Sequence, residues 1–171
     1  EDPFAGVPEE QKSTILDVDT INNIIEKIQN SGERILLILD DVITDIRRNK
    51  EVEKILTKLL FNRRHICGKS EDGESAGLSV WITSQVYNQI PRPIRACASQ
   101  VCIFQTNNKK ELETIYEELI SLSRKEFRKL LDYVFDKKYQ FLYINLDNTN
   151  PYNQYHKCFN KLKLTGIQGF V

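Results

Sequence analysis

Two carboxylates side by side, Asp40 and Asp41, close the apolar run Ile35-Leu36-Leu37-Ile38-Leu39. A carboxylate at the C-terminal end of a parallel strand stands at the crevice where α/β sheets bind ligands. There Asp40 suits the water shell of a Mg2+ ion, and Asp41 suits the orientation or deprotonation of an attacking water. A second polar ending, Ser84-Gln85, follows the run Leu78-Ser79-Val80-Trp81-Ile82-Thr83. If the two runs are neighbouring strands, Gln85 shares the crevice, where an amide can sense a γ-phosphate or a water.

Two other strings have the form of active-site signatures. Gly68-Lys69-Ser70 is the ending of a phosphate-binding P-loop. That loop needs a glycine where Arg63 stands, a strand before it and a helix after it, so that backbone N–H groups converge on phosphate. Glu71, Asp72 and Glu74 follow and repel phosphate. Gly73-Glu74-Ser75-Ala76-Gly77 is a literal G-x-S-x-G, similar to the carboxylesterase version. Asp132 or Asp147, then His156, complete the chain order of a Ser–Asp–His triad. The elbow strains its serine between a strand and a helix, whereas here a polar loop precedes the string and a strand follows it. Cys67, Cys97, Cys102 and Cys158 form no C-x-x-C pair, and structural zinc usually needs short paired spacings. His65, Cys67, Cys97 and Cys102 are one conceivable metal set. Free, mostly buried thiols in a reducing intracellular compartment are the expectation.

The surrounding elements must position these groups. Residues 1–12 read as irregular. Ile21, Ile24, Ile25 and Ile28 recur at helical spacing, and Ser31-Gly32 supplies a stop. The unalternating run 35–39 predicts a strand buried on both faces, as in a parallel sheet. Val52, Ile55, Leu56, Leu59 and Leu60 make the apolar stripe of a helix with Lys50, Lys54 and Lys58 along its other side. Residues 68–77 read as a loop, Leu78–Thr83 as a second strand and Val101–Phe104 as a third. Pro91 and Pro93 break the segment between them. Asn108 with Glu111, and Ser123 with Glu126, have capping-box spacing ahead of two helices. A last strand, Gln140 to Asn145, precedes a polar tail. The alternation predicts an α/β fold with a mainly parallel sheet and flanking helices.

A chain of 171 residues with 40% hydrophobic content suits one domain with a real core, and 28% charged residues argue against disorder. No apolar run reaches the roughly 18–20 residues of a membrane span. Glu1-Asp2-Pro3-Phe4 shows no secretory signal. The 24 Lys/Arg balance 24 Asp/Glu, so the total gives no case for a nucleic-acid binder. The balance hides unlike segments. Residues 1–45 hold three basic and eleven acidic side chains, residues 46–70 eight and two. The second segment is a solvated helix face or a surface that meets phosphate. The lack of any Met, even at position 1, reads as a processed chain or a piece of something longer.

Taken in order, the motifs resemble one family. Leu36-Leu37-Ile38-Leu39-Asp40-Asp41-Val42 is similar to the Walker B strand of the FtsK–HerA type genome-packaging ATPases of large DNA viruses, the poxvirus-like group. Leu60-Phe61-Asn62-Arg63-Arg64-His65 is similar to that family's helix ending in an Arg-His pair. Ser84-Gln85-Val86-Tyr87-Asn88-Gln89-Ile90-Pro91 is similar to its strand-four Gln motif. Ile94-Arg95-Ala96 and the strand at Val101 follow in the family's order, so the resemblance covers about residues 20–145.

The resemblance implies a P-loop NTPase core of the RecA/ASCE kind. It implies an ATP-driven motor, usually a homo-oligomeric ring, that moves double-stranded DNA into a capsid. Capsid or portal components would be partners, and the host cytoplasm or the virion the location. ATP and Mg2+ are the implied ligands. Asp40 takes the Mg2+ place through water, Asp41 the catalytic acidic place, Gln85 the sensor place, and Ser84 lies beside the nucleotide. Arg64 is the first candidate for an arginine finger acting across a subunit boundary, with Arg63 and Arg95 as alternatives. Such an arginine stabilises charge on the transferred phosphoryl group. A helix C-terminus that favours cations is the plainer reading of Arg63 and Arg64. Lys50, Lys54, Lys58, Arg63 and Arg95 are expected to touch DNA or a neighbouring subunit.

Asp41 is one methylene shorter than the Glu common in related ATPases, and 68–77 looks like an insertion. No Walker A loop precedes residue 35, so the N-terminal P-loop unit is expected to be missing from this piece. The expected organisation is an irregular segment 1–19, an ATPase core 20–146 and a tail 147–171. Two rivals stand beside it: a non-catalytic assembly module on the same core, with Asp40 and Asp41 structural, and a serine hydrolase using Ser75.

Overall fold

Asp17 opens the first helix, its carboxylate accepting from the Thr20 N–H at 2.8 Å. That hydrogen bond holds the carboxyl below the usual aspartate range. The helix, α1 (Val18–Ser31), buries Ile21 and Ile28 and ends where Gly32 turns left-handed at φ 63°. The computed structural model describes residues 3–63, 65–67, 77–150, 153–165, 169 and 170. The chain divides into two compact units, residues 1–97 and 98–171.

In the first unit, β1 (Ile35–Leu39) and β2 (Leu78–Ile82) pair in parallel, from Ile35 opposite Leu78 to Leu39 opposite Ile82. Between them come the short α2 (Ile43–Arg48) and the longer α3 (Lys50–Asn62), the crossover a parallel pair requires. Asn49 caps α3, its side chain accepting from the N–H groups of Glu51 and Val52. The predicted α3 stripe packs inward: Val52, Leu56, Leu59 and Leu60 are buried in one cluster with Ile21, Ile28, Leu39 and Leu78. Ile94, on the four-residue α4 (Arg92–Arg95), joins it.

The expectation that β1 is buried on both faces is corrected. Leu39 is buried and Ile35 and Leu37 are half-buried against the helices. Leu36 and Ile38 are exposed, as is Trp81 opposite Ile38, at 63%. Successive side chains of a strand point to opposite faces, and the described helices cover one of them.

In the second unit, β3 (Gln100–Phe104), β4 (Phe141–Asn145), β5 (Tyr155–Lys157) and β6 (Asn160–Lys161) form an antiparallel sheet in that order. A further antiparallel pair joins β7 (Leu164–Thr165) to β8 (Gly169–Phe170). The expected mainly parallel sheet is therefore corrected: the fold is α/β, but parallel pairing among the described strands is confined to β1 and β2. Two long helices, α5 (Lys109–Leu119) and α6 (Arg124–Val134), separate β3 from β4, and the chain re-enters antiparallel.

Ser123 and Glu126 complete their capping box on α6. On α5 only half of the expected box forms. Asn108 accepts from the Lys110 and Glu111 N–H groups, while the buried Glu111 carboxylate accepts instead from the Thr106 hydroxyl at 2.7 Å. The expected tail past residue 147 supplies sheet structure. Tyr155 on β5 is fully buried and its hydroxyl accepts from the Ser121 N–H at 2.9 Å; Leu162 is buried too. Burial pushes the Tyr155 phenol up.

Candidate active site

The parallel register creates the site. Leu39 and Ile82 are the last paired residues, so the next residue of each strand, Asp40 and Thr83, leave the sheet side by side. The Thr83 N–H donates to the Leu39 carbonyl at 3.0 Å, which extends the ladder by one step. The Thr83 hydroxyl then serves both chains. It donates to Asp40 Oδ1 in a short hydrogen bond and accepts from the Asp41 N–H at 3.1 Å.

Asp41 sits in the left-handed region at φ 51°. Aspartate and asparagine enter that region more readily than other non-glycine residues. The turn directs the chain from β1 toward α2. Gln85, two residues beyond Thr83, donates from Nε2 to Asp41 Oδ2 at 3.1 Å. Asp40, Asp41, Thr83 and Gln85 are all exposed. Two side-chain pairs, Thr83 with Asp40 and Gln85 with Asp41, thus stand at the C-terminal ends of a parallel pair, where an α/β sheet presents its ligand crevice.

These donors are all oxygen where a cation is concerned, which suits a hard ion such as Mg2+. Mg2+ usually takes one or two carboxylates and fills the rest of its shell with water and phosphate oxygens. Asp40 by itself meets the lower end of that demand, one carboxylate held in place by the Thr83 hydroxyl. Among the described residues no group of three or more His, Cys, Asp or Glu gathers as a metal site. A cation at Asp40 would therefore take most of its shell from outside the protein.

Other expected residues lie elsewhere. The Ser84 hydroxyl donates to the Val86 carbonyl at 3.0 Å and accepts from the Val86 N–H at 3.3 Å, so it shapes its own loop. Arg95 braces the following turn. Its Nη1 donates to the carbonyls of Asn88 and Ile90, and its guanidinium lies 5.3 Å from the centroid of the Tyr87 ring. Arg63 donates to the Leu60 carbonyl at 3.1 Å at the end of α3. Arg64 lies outside the described residues, as do Gly68-Lys69-Ser70 and Ser75. Lys50, Lys54 and Lys58 are exposed along α3, with Lys50 paired to Glu53 at 2.8 Å. Asp132, Asp147 and His156 belong to the second unit, where His156 packs edge-on against Tyr143.

All four cysteines are free. Cys67, Cys97 and Cys158 are half-buried and Cys102 is exposed, which corrects the expectation of mostly buried thiols. Burial pushes the thiols of Cys67 and Cys97 up, away from the reactive thiolate.

Thr83 is the residue that reading the sequence missed. Its signal was present: once the runs 35–39 and 78–82 are set in parallel from their first residues, Thr83 falls opposite Asp40.

Comparison of the chain with protein-family models, with curated proteins and with solved structures finds no match.

Proposed function

We propose that this chain is part of the ATPase core of an ATP-driven motor that moves double-stranded DNA, of the genome-packaging type. The observation that supports it most is the Gln85–Asp41 hydrogen bond at the ends of two parallel strands, beside an Asp40 held by Thr83.

In this reading Asp40 holds Mg2+ through water, and Mg2+ when bound neutralises charge on the phosphate oxygens. Thr83 keeps the Asp40 carboxylate in one orientation. Gln85 occupies Oδ2 of Asp41, which leaves Oδ1 to accept a proton from an attacking water. The exposed amide of Gln85 can also report on what occupies the crevice, because any shift of Gln85 is felt at Asp41. Ser84 supports the loop that presents Gln85.

A phosphate cradle is the other part such a reaction needs. Among the described residues no glycine-rich loop joins a strand to a helix N-terminus, so the reading assigns the cradle to residues beyond those described. Arg64, with Arg63 and Arg95 as alternatives, is assigned to a neighbouring subunit's nucleotide in a homo-oligomeric ring. Lys54 and Lys58, with Lys50, are assigned to DNA or to that neighbour. Capsid or portal components are the proposed docking partners of the ring.

The test is ATP hydrolysis by the protein expressed from the complete reading frame that carries this chain. Mg2+-dependent hydrolysis that rises with double-stranded DNA, and is lost in Asp41→Asn, supports the reading. Normal hydrolysis by Asp41→Asn overturns the role of Asp41. The 171-residue chain itself is expected to bind Mg·ATP weakly, and tight binding in calorimetry counts against an external cradle. An assembly module without catalysis draws support from the exposed Leu36, Ile38 and Trp81; the same assay separates it, since it predicts no hydrolysis at all.

A further inference from the structure

Strand alternation sorts the side chains of the second unit by face. Ile103, Leu142, Ile144 and Tyr155 are buried. Lys157 belongs to the same side, where its ammonium reaches the Tyr133 carbonyl and Asp136 at the end of α6. The opposite face carries rings. Phe104 pairs with Phe141, and Tyr143 pairs with His156.

These rings touch in a chain across three strands. Phe104 and Phe141 have centroids 5.5 Å apart, and Tyr143 and His156 5.0 Å apart. Phe159, in the turn between β5 and β6, joins the two pairs at 5.2 Å from Phe141 and 5.7 Å from Tyr143. Phe104 is 60% exposed and Phe159 75%. Contiguous rings that meet water bury little of the apolar area that makes aromatics useful in a core.

Charge indicates what lies against them. Residues 98–171 hold eleven Lys/Arg against eight Asp/Glu. Phe104 ends β3 and Phe141 begins β4, so both stand at the sheet end that leads into α5 and out of α6. Lys109, Lys110, Lys137 and Lys138 flank those two connections and are exposed. Lys161, opposite His156 on β6, is exposed on the ring face itself. The acidic groups nearby are occupied: Lys157 holds Asp136 at 2.7 Å, and Glu111 is buried under the Thr106 hydroxyl. Asp147 follows β4 at the opposite end, where burial, Cys102 and then the Asp147 charge push the Tyr143 phenol up. Flat apolar rings beside a group of lysines fit a polyanion that exposes flat apolar faces of its own. A single-stranded nucleic acid does so; a duplex keeps its base faces stacked inside.

We propose that this sheet face is a stacking platform for single-stranded nucleic acid. Bases lie on Phe104, Phe141 and Phe159, and the backbone runs past Lys109, Lys110, Lys137, Lys138 and Lys161. The platform is built from residues 98–171 alone.

Fluorescence anisotropy of the 171-residue chain tests this, with a labelled oligothymidylate of about 20 nucleotides and a duplex of equal length. The single strand should bind at least about tenfold more tightly than the duplex. Phe104→Ala and Phe159→Ala should each weaken it by about tenfold, as loss of one stacked base does. Phe104→Tyr and Phe159→Tyr should retain it. Combined Lys137→Ala and Lys138→Ala should flatten the salt dependence. Should Phe104→Ala fail to fold, the more exposed Phe159→Ala carries the same test. No binding, equal affinity for the duplex, or alanine variants that bind like the parent overturn the proposal. So does a dimer in sedimentation that Phe159→Ala dissolves, since the face would then serve a second copy.

Discussion

Gln85 and Asp41, 44 positions apart in sequence, share a 3.1 Å hydrogen bond from Nε2 to Oδ2. The bond crosses from the loop after β2 to the left-handed turn after β1. It engages one oxygen of an exposed carboxylate, and so makes the two oxygens of Asp41 unequal.

Asp41→Asn isolates the charge from the backbone. Asparagine accepts the left-handed region as readily as aspartate, so the turn at φ 51° should persist. Circular dichroism should be unchanged. Steady-state ATP hydrolysis by the complete-frame protein should fall by about 10²–10⁴-fold, the range for loss of a positioned general base.

Thr83→Val removes the hydroxyl that joins Asp40 to the Asp41 N–H while keeping the β-branched shape. Urea unfolding should register a loss of about 1 kcal/mol, and Thr83→Ser should recover most of it. Equal stability of the valine variant would show that water replaces the hydroxyl at no cost.

Stability should decline on the acid side. The carboxyls of Glu126, Glu113 and Asp136 are held below their usual range, first by hydrogen bonds from Ser123, Arg124 and Lys157 respectively. A depressed folded pKa contributes stability that is complete above the unfolded value and is lost as pH falls through the folded one. Melting temperatures followed from about pH 7 to about pH 3 should therefore show a modest drop below the ordinary carboxylate range. Glu126→Gln should make that drop shallower.

Tyr155→Phe leaves the Ser121 N–H without its partner while the ring stays packed. A loss of about 1 kcal/mol in chemical denaturation is expected. Tyr155→Ala, which empties a fully buried site, should cost about 3–5 kcal/mol. A neutral Tyr155→Ala would mean that β5 does not contribute to the sheet in solution.

Trp81 is the single tryptophan and is 63% exposed. Its emission should be that of an indole in water and should be quenched strongly by acrylamide. Weak quenching in the 171-residue chain would mean that the face formed by Leu36, Ile38 and Trp81 is covered.

Much of the local structure was legible. The stripe Ile21–Ile28, the stripe Val52–Leu60, the Gly32 stop and the Ser123–Glu126 box appear where spacing and side-chain chemistry put them, because each depends on neighbours within one or two helical turns. Both runs that flank the site became strands. The segment past residue 147 misled because β5 has three residues and its surroundings are rich in Asn. One fully buried tyrosine is too faint a pattern to mark a strand.

By itself the sequence determined that Asp40 and Asp41 end one apolar strand and Ser84-Gln85 follow another. It also placed the basic side chains Lys50, Lys54 and Lys58 on one helix face. Tertiary structure decided the pairing. A parallel β1–β2 register, set by a crossover through α2 and α3, brings Gln85 to Asp41 and Thr83 to Asp40. The two-helix connection through α5 and α6 turns β4 antiparallel to β3 and assembles Phe104, Phe141, Tyr143 and Phe159 on one face. Strand direction and register depend on how the intervening elements pack and on which faces bury against them. Those are long-range relations, and a local window of residues does not contain them.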